Sequence, residues 1–119
     1  MTVLMIEPGK APYQTELTGL AEMQKAVGGL IQAVYPFEEP VALVCNDEGL
    51  LLRLPFNRSL PGGEDGIWGP FFLCGLGEED FCSLTPEQLK RYTCLFRRPE
   101  RLVGICGSRL VTVCVELGE

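Results

Sequence analysis

Histidine is absent from this 119-residue chain, and that absence removes a large share of enzyme chemistry. No Ser-His or Cys-His nucleophile pair can form, no imidazole can move protons at neutral pH, and no histidine-containing metal site can be built. The six cysteines stand at 45, 74, 82, 94, 106 and 114 without a C-x-x-C pair, so the usual sequence form of a four-cysteine zinc site is also missing. There is no G-x-G-x-x-G, and Gly9-Lys10 lacks the earlier glycine and following Ser/Thr of a phosphate loop, so nucleotide hydrolysis has no recognisable machinery. No apolar run reaches the ~18–20 residues of a membrane span. Met1 to Glu7 lacks the basic region and long apolar stretch of an export signal. The expectation is a cytosolic protein with no metal, no cofactor and no membrane partner.

What is present fits one globular domain over residues 1–119, with 46% hydrophobic and 22% charged residues and enough length to bury a core. Most cysteines sit in apolar runs such as Val41 to Cys45 and Phe71 to Cys74, which predicts buried free thiols in place of disulfides. Charge is uneven. Residues 1–89 carry thirteen acidic and four basic side chains, whereas residues 90–119 carry three and six. An anionic partner would be drawn only to the C-terminal quarter, and the acidic bulk argues against general nucleic-acid binding.

Residues 2–7 read as a strand stopped by Pro8-Gly9, and Tyr13 to Leu17 as its hairpin partner. Thr18 is the expected N-cap of a short helix bearing Leu20, Met23 and Val27 on one face and ended by Gly28-Gly29. Leu30 to Tyr35 alternates as a strand, and Val41 to Cys45 is a continuous apolar run suited to a central strand. Asn46-Asp47-Glu48-Gly49 then predicts a turn joining that strand to a hairpin partner at Leu50 to Leu54. Asn57 to Gly69 reads as an exposed glycine-rich loop, and Pro70 to Gly75 as a strand. Thr85-Pro86-Glu87-Gln88 opens a second helix with a capping box. Leu89, Tyr92, Leu95 and Phe96 form its apolar face, and Arg97-Arg98 are expected to complement its C-terminal dipole. Leu102 to Cys106 and Leu110 to Leu117 read as one or two final strands about a Gly107-Ser108 turn. The order predicts an α+β fold, a mainly antiparallel sheet with two helices.

Glu7-Pro8-Gly9-Lys10, Leu20 to Gly29, Val41 to Gly49, Leu54 to Arg58 and Gly69 to Gly75 together resemble, in the same order, the family catalogued as domain of unknown function 3846. The resemblance spans about residues 2–100, leaving an apolar β tail at 101–119. It implies an α+β domain of bacterial accessory regions, phages and conjugative elements, and brings no catalytic residue with it. The stretch Ser59 to Trp68 is shorter and more glycine-rich than the resemblance leads one to expect, and the tail after Arg101 more apolar.

Candidate ligand contacts follow from residue chemistry. Asn57-Arg58 opens the expected loop, where the guanidinium can fork onto a phosphate or carboxylate, and Lys10 offers a second cation. Lys90, Arg91, Arg97 and Arg98 repeat at seven-residue spacing as a cationic stripe on the second helix. Trp68 offers a stacking wall or a partner anchor. Each has an ordinary surface role to set beside it: a turn asparagine, a solvated helix face, a plug over a sheet edge. The functional expectation is a non-enzymatic protein capturing a small anionic, nucleotide-like ligand, acting in a mobile element as a counter-defence sponge, with a homo-oligomer supplying pocket depth. Two alternatives stand beside it. One is an interaction module masking a host protein through its acidic surface, and the other a small phosphate-ester enzyme using Glu78, Asp80 and Arg58.

Overall fold

A computed structural model describes residues 1–115 of the chain. Its central sheet is antiparallel throughout and runs in the order β2, β1, β7, β4, β3, where β1 is Thr2–Ile6, β2 Tyr13–Glu16, β3 Ile31–Val34, β4 Val41–Asn46 and β7 Phe71–Leu76. A short β8, Phe81–Cys82, pairs with the end of β7. All six residues of β4 and five of six in β7 are buried, because both strands are central and both faces of the sheet are covered. Alternate residues therefore feed two cores. Val3, Met5, Ala42, Val44, Phe72 and Cys74 pack against Val27 of α1 (Gly19–Val27). Leu4, Ile6, Leu43, Phe71 and Leu73 pack on the other side against Tyr92 of α2 (Pro86–Leu95), against Phe96 just beyond it, and against Leu60 and Ile67. Phe71 and Phe72, neighbours in sequence, thus anchor opposite layers.

The helices start and stop where local chemistry demands. Thr85 Oγ1 accepts from the Gln88 N–H and Gln88 Oε1 from the Thr85 N–H, completing the expected box. Thr18 occupies the N-cap of α1, but its side chain does not cap; the Glu22 carboxylate takes the Thr18 N–H at 2.7 Å instead. Gly28 ends the helix at φ 80°. Leu20 faces solvent, so the packed stripe of α1 narrows to buried Val27 with partly buried Met23 and Ala26.

Four expectations are corrected. Leu50 to Leu54 is no strand: Glu48 to Leu54 coils through Leu52 N–H to Glu48 carbonyl and Leu54 N–H to Gly49 carbonyl bonds, and β4 is flanked by β3 and β7 instead. Asn57 to Gly69 is not an exposed loop but a second, two-stranded sheet, β5 (Phe56–Ser59) with β6 (Gly66–Trp68). Arg97 and Arg98 lie past the Phe96 cap, so the four cations do not share one helix. Only Cys45 and Cys74 are buried; Cys82, Cys94, Cys106 and Cys114 are exposed, and all six thiols are free.

The tail forms two strands paired as a hairpin, β9 (Glu100–Cys106) with β10 (Arg109–Cys114), turning at Gly107 with φ 63°. The expected strand end at 116 and 117 lies outside the described residues. The hairpin docks on β5, where Glu100 Oε1 accepts from Ser59 Oγ at 2.6 Å and from Thr112 Oγ1 at 2.9 Å. The architecture is the expected α+β class with a mainly antiparallel sheet and two helices. Among the described residues no helix is long and apolar enough to cross a membrane.

Candidate functional site

The β5–β6 hairpin covers the sheet face incompletely at its β3 edge. What remains is a cleft of about 480 Å³, a volume within the range of small-molecule sites. Its floor is Gln32 and Val34 of β3 with Cys45 of β4, residues that share one face because Gln32 pairs with Cys45. Leu60, Ile67 and Trp68 form the hairpin wall, and Tyr35, Asp47, Leu50 and Asp65 stand at the rim.

Each wall is fixed by local structure. The turn after β4 is held by Asn46, whose buried amide donates to the Val27 carbonyl at 3.1 Å and accepts from the Glu48 N–H at 2.8 Å. Gly49 presses on β6 so closely that a side chain there would overlap the Trp68 carbonyl. The Trp68 ring meets Phe56 edge-on, centroids 5.2 Å apart. Cys45 donates weakly to the Gln32 carbonyl at 3.7 Å. Burial, then the charges of Asp47 and Asp65, push its pKa up to about 11. The floor thiol is therefore neutral and a poor nucleophile. Among the described residues no Lys or Arg lines the cleft.

Of the residues singled out in the sequence, Trp68 alone lines this cleft. Asn57 and Arg58 are fully buried and serve the fold. Asn57 Nδ2 donates to the carbonyls of Ile6 and Gly69, both at 2.9 Å. Arg58 donates to the Phe96 carbonyl at 3.0 and 3.2 Å, to Asn57 Oδ1 at 2.8 Å and to the Lys10 carbonyl at 2.6 Å. Burial lowers its pKa, and the charge of Glu100 partly restores it. Lys10 meets Arg58 through its carbonyl, while its own ammonium is exposed and 3.8 Å from Glu7. Lys90, Arg97 and Arg98 are exposed, and Arg91 is paired with Glu39.

Glu78 and Asp80 lie on an exposed turn, while the Arg58 donors are occupied, so the carboxylate–arginine constellation of the enzyme alternative is not assembled. Among the described residues no group of three or more Cys, Asp or Glu is placed to hold a metal ion. Sequence reasoning missed Gln32, Tyr35, Asp47 and Asp65 as site residues. Asp47 was visible only as a turn former and Asp65 only as part of the expected glycine-rich loop, and nothing local tells that both border one cleft.

No curated protein and no solved structure matches the chain. The two-faced sheet, both helices and the cleft all lie within residues 1–97, the segment that matches the family described as Domain of unknown function (DUF3846), and the chain therefore belongs to that family.

Proposed function

We propose that this protein is a non-enzymatic binding protein that holds a small, partly flat ligand in the cleft between the β3 edge and the β5–β6 hairpin. The observation that carries the reading is the cleft itself, with Trp68 in its wall, Gln32, Val34 and Cys45 as its floor, and the carboxylates of Asp47 and Asp65 on its border. The Cys45 thiol in it is protonated at neutral pH, so the lining supplies shape and hydrogen-bond acceptors in place of a nucleophile. The phosphate of the expected nucleotide-like ligand would meet Asp47 and Asp65 there without a counter-charge, so a nucleoside-type face or a cation suits the cleft better. In a phage or mobile element, the setting the family resemblance implies, capture of this kind depletes a host signal.

Trp68 is the chain's single tryptophan, so its intrinsic fluorescence reports on the cleft alone. Titration with a panel of nucleosides, nucleotides and organic amines is expected to shift Trp68 emission saturably for at least one compound, recovered chemically unchanged by mass spectrometry. A flat response across the panel, or conversion of the bound compound, overturns the proposal.

A further inference from the structure

Charge narrows the ligand class of the same cleft, and this step rests on the capture reading. Asp47 and Asp65 come from two different segments, the turn after β4 and the turn before β6, yet both border the cleft and both act on the Cys45 thiol at its floor. Asp47 is in neither of the two ion pairs among the described residues, and its backbone N–H is already bonded to the Leu30 carbonyl at 2.8 Å. Asp65 spends one carboxylate oxygen on the Gly66 N–H at 3.2 Å. Arg109, whose guanidinium rests against Gly63, forms no ion pair with Asp65 and is not part of the lining. The surrounding acidic body, thirteen carboxylates against four cations over residues 1–89, adds an attractive field for a positive ligand.

Two carboxylates beside a half-buried indole select among cations. An ammonium is compact, strongly hydrated and has no flat face, whereas a guanidinium is planar, weakly hydrated, forks onto carboxylates and stacks on indole. Val34, Leu60 and Ile67 give an alkyl stem an apolar bed. We propose that the cleft takes a guanidinium carried on an apolar stem, its fork on Asp47 and Asp65 and its plane against Trp68. A free alkylguanidine and an arginine side chain of a second protein share this chemistry.

The test titrates Trp68 fluorescence with butylguanidinium, with its neutral isostere butylurea, and with a blocked Gly-Arg-Gly tripeptide. Butylguanidinium is expected to saturate the signal at a concentration at least tenfold below that of butylurea. A tripeptide tighter than butylguanidinium assigns the source to an arginine side chain; the reverse assigns it to a free guanidine. The double variant D47N/D65N is expected to erase the tenfold preference. Asparagine keeps the size and the acceptor oxygen at both positions, so matching circular dichroism and thermal unfolding show the variant folded. Equal binding of butylurea, or a preference that survives in the variant, overturns the guanidinium assignment; if another compound of the panel still saturates Trp68, capture by the cleft stands. Silence from every probe and every panel compound removes both.

Discussion

Arg58 carries a full positive charge into a site with no solvent exposure, and its five donors explain how that is tolerated. Through the carbonyls of Phe96 and Lys10 it ties the end of α2 and the β1–β2 turn to β5, while Asn57 beside it ties β5 to β1 and to Gly69. An asparagine-arginine pair between a strand and a glycine-rich stretch looks like surface in one dimension, because burial of such polar groups depends on carbonyls that arrive from 38 and 48 residues away. Lysine cannot reproduce this fork. Arg58→Lys is expected to cost about 3 kcal/mol by leaving buried carbonyls unpaired. Urea unfolding with an unchanged m-value measures it, and a loss within about 0.5 kcal/mol of zero, the scale of ordinary surface substitutions, refutes the role.

Elements whose signals are local were legible, and those decided by distant partners were not. The capping box at Thr85, the glycine stop at Gly28 and the run Val41 to Cys45 each carry their cause within a few residues. Leu50-Leu51-Leu52 has strand-like composition, yet β4 already has β3 and β7 as neighbours, so the leucines coil outward and Leu51 stays 82% exposed. Conversely, the four glycines of the stretch from Asn57 through Gly69 disguise a hairpin. Gly66 suits the packing there, since a Cβ would come within 2.7 Å of the Leu110 side chain and 2.8 Å of the Phe56 ring and displace them. The Asp47–Asp65 rim was illegible for the same reason: it depends on strands that pair 26 to 34 residues apart.

Between elements, Glu39 clips the β3–β4 connection to α2 by accepting from Arg91 and from the Tyr92 hydroxyl. Arg91 first, and then Tyr92, hold its carboxyl below the ordinary 4.5. A carboxyl depressed on folding contributes stability that is complete above pH 4.5 and is lost as pH falls through the depressed value. Wild type is therefore expected to melt above Glu39→Gln at pH 6, with the gap closing as the pH drops below 4.5. A gap in Tm that stays constant across that range counts against the clip.

At the scale of the molecule, the family segment ends at residue 97 but the packing does not. The β9–β10 hairpin lies against β5: Glu100 holds Ser59, the Leu110 N–H donates to the Gly63 carbonyl at 2.8 Å, and the Leu110 side chain approaches Gly66. A chain ending at Pro99 uncovers β5 and removes these partners. It is expected to melt at least about 10 °C lower than the full chain, a shift that ~2 kcal/mol produces in a domain of this size. Calorimetry decides the point, and an unchanged midpoint would make the tail an ornament on an independent unit. The composition of residues 101–119 made a β tail legible; that it serves as an outer wall was not, since its inner contacts belong to β5 and β6.

The division of the sulfurs, two sealed in opposite layers and four on the outside, gives the protein two chemical lifetimes. Under a glutathione-buffered poise the outer four stay inert and copies remain covalently separate. In air, oxidation would chain neighbours together or cap them with small thiols while the interior layers kept their packing, so ageing would begin at the skin of the molecule.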